Sequence, residues 1–152
     1  MKWKDLSNEK EIDLAEYVRQ YLIEKPNTQL FIGTDSQSKG SKTYYALVVV
    51  LYNEKKGGKV LFTKFFVPVI KDKWSKLWKE VELSLDVAAI LHDSGIRKSL
   101  LTIDLDYNTD EKYYSNTLLT SAVGFAKGMG YECRSKPDSP AASNVADMLV
   151  KA

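Results

Sequence analysis

Gln29-Leu30-Phe31-Ile32-Gly33-Thr34-Asp35 is a short apolar run that ends in an acid, and Ser36 to Lys42 after it supplies turn residues. Its length and its aliphatic and aromatic content fit a buried strand better than a helix. Thr43 to Tyr52 and Val60 to Val69 are again strand-like, and Asn53 to Lys59 between them carries Gly57-Gly58. These segments predict three antiparallel strands joined by hairpins. Leu100 to Asp106 (Leu-Leu-Thr-Ile-Asp-Leu-Asp) repeats the opening pattern, a buried strand ending in acids. Before it, Trp74, Leu77, Trp78, Val81, Leu85 and Ala88 form one helical stripe over Trp74 to His92, stopped by Ser94-Gly95. Such a helical crossover returns the chain parallel to the first strand and beside it.

Outward from this centre, Asp110 to Lys127 predicts a helix ended by Gly128 and Gly130, Tyr131 to Arg134 a short strand, and Ser139-Pro140 the opening of a last helix. Upstream, Asn8 with Glu11 fits a capping box, and Ile12, Ala15, Val18 and Leu22 carry a first helix to about Glu24. The element order αβββαβαβα predicts an α/β fold: a mixed five-stranded sheet, order 3-2-1-4-5 with strand 2 antiparallel, flanked by helices. The expected organisation is one domain over 1–152, with an N-terminal helical extension (1–27) and a core (28–152).

The 152 residues are 44% hydrophobic and 28% charged, the usage of a folded domain and not of a disordered chain. The longest apolar run, Ala46 to Leu51, is far short of the roughly 20 residues a membrane span needs, so the expected compartment is the cytoplasm, with no membrane partner. One cysteine, Cys133, and one histidine, His92, exclude cysteine-based zinc sites and any pair of imidazoles. Metal chemistry here has to be carboxylate chemistry with hard cations. Net charge is +2, but Lys39 to Lys79 holds ten lysines against Glu54 and Asp72, a local +8, which leaves −6 elsewhere. That asymmetry fits a polyanion-binding face beside a carboxylate site, or lysines guarding a sheet edge.

Asp35 and the Asp104/Asp106 pair are expected at one carboxyl edge of the sheet, where sites in open α/β sheets lie. Glu82 projects about 60 to 80° from the centre of the helix stripe, at 100° per residue, and Glu80 projects to the other side. Glu82 is therefore the helix acid expected to look along the sheet. Converging carboxylates repel unless cations sit between them, and a pair of divalent ions performs phosphoryl transfer.

Ile32-Gly33-Thr34-Asp35-Ser36-Gln37, Lys79-Glu80-Val81-Glu82, Ile103-Asp104-Leu105-Asp106 and Lys136-Pro137-Asp138-Ser139-Pro140-Ala141-Ala142-Ser143 together resemble the YkuK-like family of ribonuclease H-like proteins over residues of about 30 to 150. The resemblance implies a nuclease that holds two Mg²⁺ or Mn²⁺ ions and acts on RNA, DNA or a hybrid. Asp35, Glu82 and Asp106 match the family's acids, Asp104 stands where a histidine is expected, and the fourth carboxylate would be Asp147, with Asp104 or Asp138 as the other oxygen donors. Gln37, Lys55, Lys56, Lys59, Lys71, Lys73, Lys76 and Lys136 would contact the nucleic acid. The competing reading is a non-catalytic ribonuclease H-like nucleic-acid-binding or scaffold module. Trp74 and Trp78 are expected to anchor the core rather than stack on bases, His92 to be a partly buried structural residue and Cys133 a small core residue.

Overall fold

The computed structural model describes residues 1–53, 57–105 and 114–135. In chain order the elements are β1 (Trp3–Asp5), β2 (Glu11–Ile12), α1 (Leu14–Glu24), β3 (Gln29–Lys39), β4 (Lys42–Asn53), β5 (Gly57–Pro68), α2 (Lys73–Asp93), β6 (Leu101–Leu105), α3 (Tyr114–Gly128) and β7 (Glu132–Ser135). They form a mixed seven-stranded sheet, order β2-β1-β5-β4-β3-β6-β7. β3, β4 and β5 pair antiparallel, whereas β6 pairs parallel with β3 and β7 parallel with β6. None of the described helices is long and apolar enough to cross a membrane.

Two corrections concern the first forty residues. The five expected strands keep their relative order, but two further strands, β1 and β2, extend the sheet beyond β5. The expected helical extension therefore begins as a small hairpin. Asn8 is not a helix cap: its side chain accepts from the Lys10 N–H inside the turn, next to Glu9 with φ of 56°. The cap is Asp13, whose carboxylate accepts from the Glu16 N–H. The second correction is that β3 runs on to Lys39, so Asp35 sits inside a long hairpin and not at its end. Only Gly40 and Ser41 turn the chain, Gly40 with the left-handed φ of 61° that tight hairpins favour.

Strand alternation assigns the faces. Leu30, Ile32, Leu47, Val49, Leu51, Leu61, Leu101 and Ile103 are buried on the face that meets Val81, Leu85, Ala88 and Leu91 of α2 and Val18 of α1. Ala46, Val48 and Phe62 make a smaller apolar cluster on the opposite face. Trp74 and Trp78 are half-buried against the main core, stacked at 6.4 Å, with Trp78 also meeting Phe125 of α3, and Cys133 packs at the core margin. His92, expected to be partly buried, is exposed, and its Nδ1 lies 3.0 Å from the Ile96 carbonyl.

Candidate functional site

The register Leu30↔Leu101 to Gly33↔Asp104 sets the carboxyl end of β6 beside the middle of β3, just before Asp35. Ser36 is the hub of this edge. Its backbone N–H donates to Asp35 Oδ1 at 2.9 Å, and its hydroxyl donates to Glu80 Oε2 at 2.6 Å. One serine thus holds an acid of the strand and an acid of the helix. A second polar rung lies one turn further along α2, where the Ser84 hydroxyl meets the Thr34 hydroxyl at 2.8 Å, both buried. These two rungs fix the helix against the strand, and their buried members, Thr34, Ser84 and Glu80, cannot exchange these hydrogen bonds for water without loss.

This arrangement reverses the expected orientations of the helix acids. Glu80 is buried and Glu82 is exposed. At 100° per residue Glu82 lies about 200° around from Glu80, so only one of the two can face β3. The reason is a rotation of the buried arc. Glu80, Ser84, Val87, Ala88 and Leu91 face inward, which puts the arc's centre about 115° from the stripe of Trp74, Trp78 and Leu85. That stripe turns partly toward α3, and two polar residues, matched to Ser36 and Thr34, occupy the sheet side.

Asp104 has its side chain fully buried and accepts a two-pronged contact from Arg134, Nε to Oδ1 at 3.1 Å and an Nη to Oδ2 at 3.3 Å. The pair follows from the register Asp104↔Arg134 on β6 and β7. The guanidinium also lies 3.8 Å over the ring of Phe31 on β3. Both oxygens of Asp104 therefore already meet a cation. Asp106, Asp138 and Asp147 lie outside the described residues, as do Lys55, Lys56 and Lys136. Among the described residues there is no group of three or more His, Cys, Asp or Glu side chains poised to hold a metal.

The lysines divide. Lys59 is tied to Asp5 at 3.3 Å and to Ser7 Oγ at 3.2 Å, which makes it part of the β1–β5 junction. Burial raises the Asp5 carboxyl, but hydrogen bonds from Ser7 and Lys59 outweigh that and hold it below the ordinary range. Lys71 and Lys73 are exposed at the start of α2, and Lys76 is half-buried one turn before Glu80. Tyr45, whose hydroxyl donates to the Lys76 carbonyl, has its pKa raised by burial and then by the charge of Glu80. Gln37 is half-buried on β3, two residues past Asp35 and on the same face. Sequence reasoning missed Ser36, Glu80, Ser84 and Arg134. Ser84, four residues after Glu80, was the available signal that the helix carries a polar line.

A mixed sheet with an antiparallel three-strand hairpin, two parallel strands following, and acids where the two parts meet defines a class of α/β proteins. The ribonuclease H-like family model matches residues 13–151, and the chain belongs to that family. Among solved structures it is similar to the N-terminal RNase H domain of Rv2228c from Mycobacterium tuberculosis, studied as a maltose-binding-protein fusion. The identity is 15% over 82% of this chain and 96% of that one, with a TM-score of 0.41. It is also similar to RNase H1 of the halophilic archaeon Halobacterium salinarum, with 17% identity over 82% and 98% of the two chains and a TM-score of 0.38. No curated protein matches the chain significantly.

Proposed function

We propose that this chain is a Mg²⁺- or Mn²⁺-dependent nuclease of the YkuK-like branch, hydrolysing phosphodiester bonds of nucleic acid. The observation that carries the reading is Ser36, which through its N–H and its hydroxyl bonds one acid of the strand, Asp35, and one of the helix, Glu80, near where β6 ends. The donors offered there are all oxygens, the ligand chemistry of a hard divalent cation and not of zinc or copper. Asp35 would hold the metal, joined by Asp106, which follows β6 in sequence, and by Asp138 or Asp147, and Glu80 would act through its hydrogen bond to Ser36. When bound, the metal supplies an activated water and charge stabilisation for the leaving oxygen.

The chain's own residues do the positioning. The Ser36 hydroxyl keeps the Glu80 carboxylate aimed at β3, and the Ser36 N–H fixes the orientation of the Asp35 carboxylate through one of its oxygens. The Thr34–Ser84 rung stops α2 sliding along the strand. Lys71, Lys73 and Lys76 would neutralise substrate phosphates beside Glu80. Asp104, paired with Arg134, is assigned to the ion pair and not to the metal.

The test is a Mn²⁺ soak with anomalous peaks located, run beside a cleavage assay. A peak at Asp35, with cleavage lost in Asp35→Asn, is the expected result. Peaks elsewhere, or none at millimolar Mn²⁺, leave the second reading, a non-catalytic nucleic-acid-binding module. The Asp104–Arg134 pair favours that second reading, because it neutralises one edge carboxylate without any metal.

A further inference from the structure

The face of the sheet turned away from α2 carries a second feature. Register places Gln37, Tyr44 and Phe66 in one row across β3, β4 and β5, and Asp35, Ala46 and Lys64 in the next. The two rows are about 7 Å apart, two residues along a strand. Phe66 is 54% exposed, and its ring lies 5.8 Å from that of Tyr44. Lys42 Nζ sits 4.2 Å over Phe66, and Lys39 Nζ lies 5.9 Å from the Tyr44 ring. Gln37 Oε1 is buried and accepts no hydrogen bond, although it borders this row.

Three facts together select the partner. Between Ser36 and Lys71 the sequence has one acid, Glu54, which follows the far end of β4. Among the described residues, no ion pair engages Lys39, Lys42 or Lys64. The aromatic pair is thus rimmed by cations able to meet a polyanion. Exposed rings beside lysines are a platform for unstacked bases, and a duplex hides its base faces inside its own stack.

We infer that this face binds single-stranded nucleic acid. Bases stack on Phe66 and Tyr44, and Lys39, Lys42 and Lys64 meet the phosphates. Lys42 leaves the Phe66 ring as the base arrives and moves to the backbone. The strand then passes from the Gln37 row to the Asp35 row. The inference deepens the nuclease reading by naming the form of its substrate, and it rests on that reading only for the cleavage step at Asp35.

Fluorescence anisotropy in EDTA, with a labelled twelve-nucleotide oligouridylate and an RNA–DNA hybrid of equal length, tests it on the full chain. Phe66→Ala is expected to weaken single-strand binding about tenfold with an unchanged salt slope. Lys42→Gln and Lys64→Gln should each flatten that slope by up to about one unit. Hybrid binding should be weaker and indifferent to Phe66→Ala. Phe66→Leu keeps the apolar area without the ring, so it carries the test if the alanine variant melts early. Unchanged oligouridylate affinity in a folded Phe66 variant, no binding at micromolar protein, or an equal loss for the hybrid would overturn the inference. If the ring dependence holds and Mn²⁺ gives no cleavage, the nuclease reading fails and the platform stands. Cleavage without ring dependence removes the platform alone.

Discussion

Glutamates two residues apart on one helix make a direct test of the site, because the structure assigns them opposite surroundings. Glu80 is 5% exposed and accepts from Ser36 at 2.6 Å, whereas Glu82 faces solvent. A hydrogen bond to a charged group contributes about 1.5–3 kcal/mol and a neutral one about 0.5–1.5 kcal/mol. Glu80→Gln keeps an acceptor for Ser36, so the stability lost is about 1 kcal/mol. For a chain of this size that is a fall of about 2–4 °C in melting temperature. Its functional effect is expected to be much larger: at least about 100-fold in Mn²⁺-dependent cleavage, close to 2.7 kcal/mol of barrier. Glu82→Gln removes a solvated charge and should stay within about 0.5 kcal/mol in stability and leave cleavage unchanged. The assays are thermal melts in EDTA and in Mn²⁺, with single-turnover cleavage of a labelled oligonucleotide. Cleavage that falls in Glu82→Gln and survives in Glu80→Gln would refute the reasoning from the buried arc of α2.

Removing Arg134 should be costly. Arg134→Met leaves the fully buried Asp104 carboxylate without its cation, and a loss of about 3 kcal/mol is expected, read as a drop of about 6–12 °C. Adding Asp104→Asn should recover part of it, and strict additivity of the two changes would contradict the pairing. Acid should act on the N-terminal hairpin through Asp5, whose folded pKa lies below its unfolded value near 3.8. The stability it contributes is present above that value and is lost as pH falls through the folded pKa, so the melting gap between wild type and Asp5→Asn should close below about pH 4. A gap that stays constant to pH 2 would rule the linkage out. Gly58→Ala would place a Cβ 2.5 Å from the Leu51 carbonyl oxygen, a backbone atom that cannot swing aside. It should cost about 1–3 kcal/mol in urea unfolding, and a neutral result would mean that the β4–β5 pairing yields there.

The central strands were legible because burial writes itself into them: Leu30 and Ile32, Leu47 and Val49, Leu101 and Ile103 alternate or run together as buried strands must. β1 and β2 were not, since three and two residues are too few to show a period. They exist through contacts from afar, Leu6 N–H to the Val60 carbonyl and Lys59 to Asp5. The sequence pointed to Asn8 as the cap of the first helix, and the hairpin takes Asn8 into its turn and leaves Asp13 as the cap. The place of Asp35 near the end of β6 was legible from strand order, but the inward orientation of Glu80 was not. An apolar stripe is a poor guide to rotation when a helix packs on a sheet and on another helix, and hides a serine and a glutamate on the sheet side. Arg134 as partner of Asp104 needed the pairing of β6 with β7, thirty residues apart in sequence.

The region matched by the family begins at residue 13, beyond both small strands. They pair with β5 only through Lys4↔Phe62 and Asp5↔Leu61, yet that contact covers part of the outer edge of a twelve-residue strand. A protein trimmed to the family boundary would keep every acid of the site and expose that edge. Open edges of that length recruit strands from neighbouring molecules. Removing the short N-terminal hairpin is therefore expected to raise self-association through β5 before it unfolds the core.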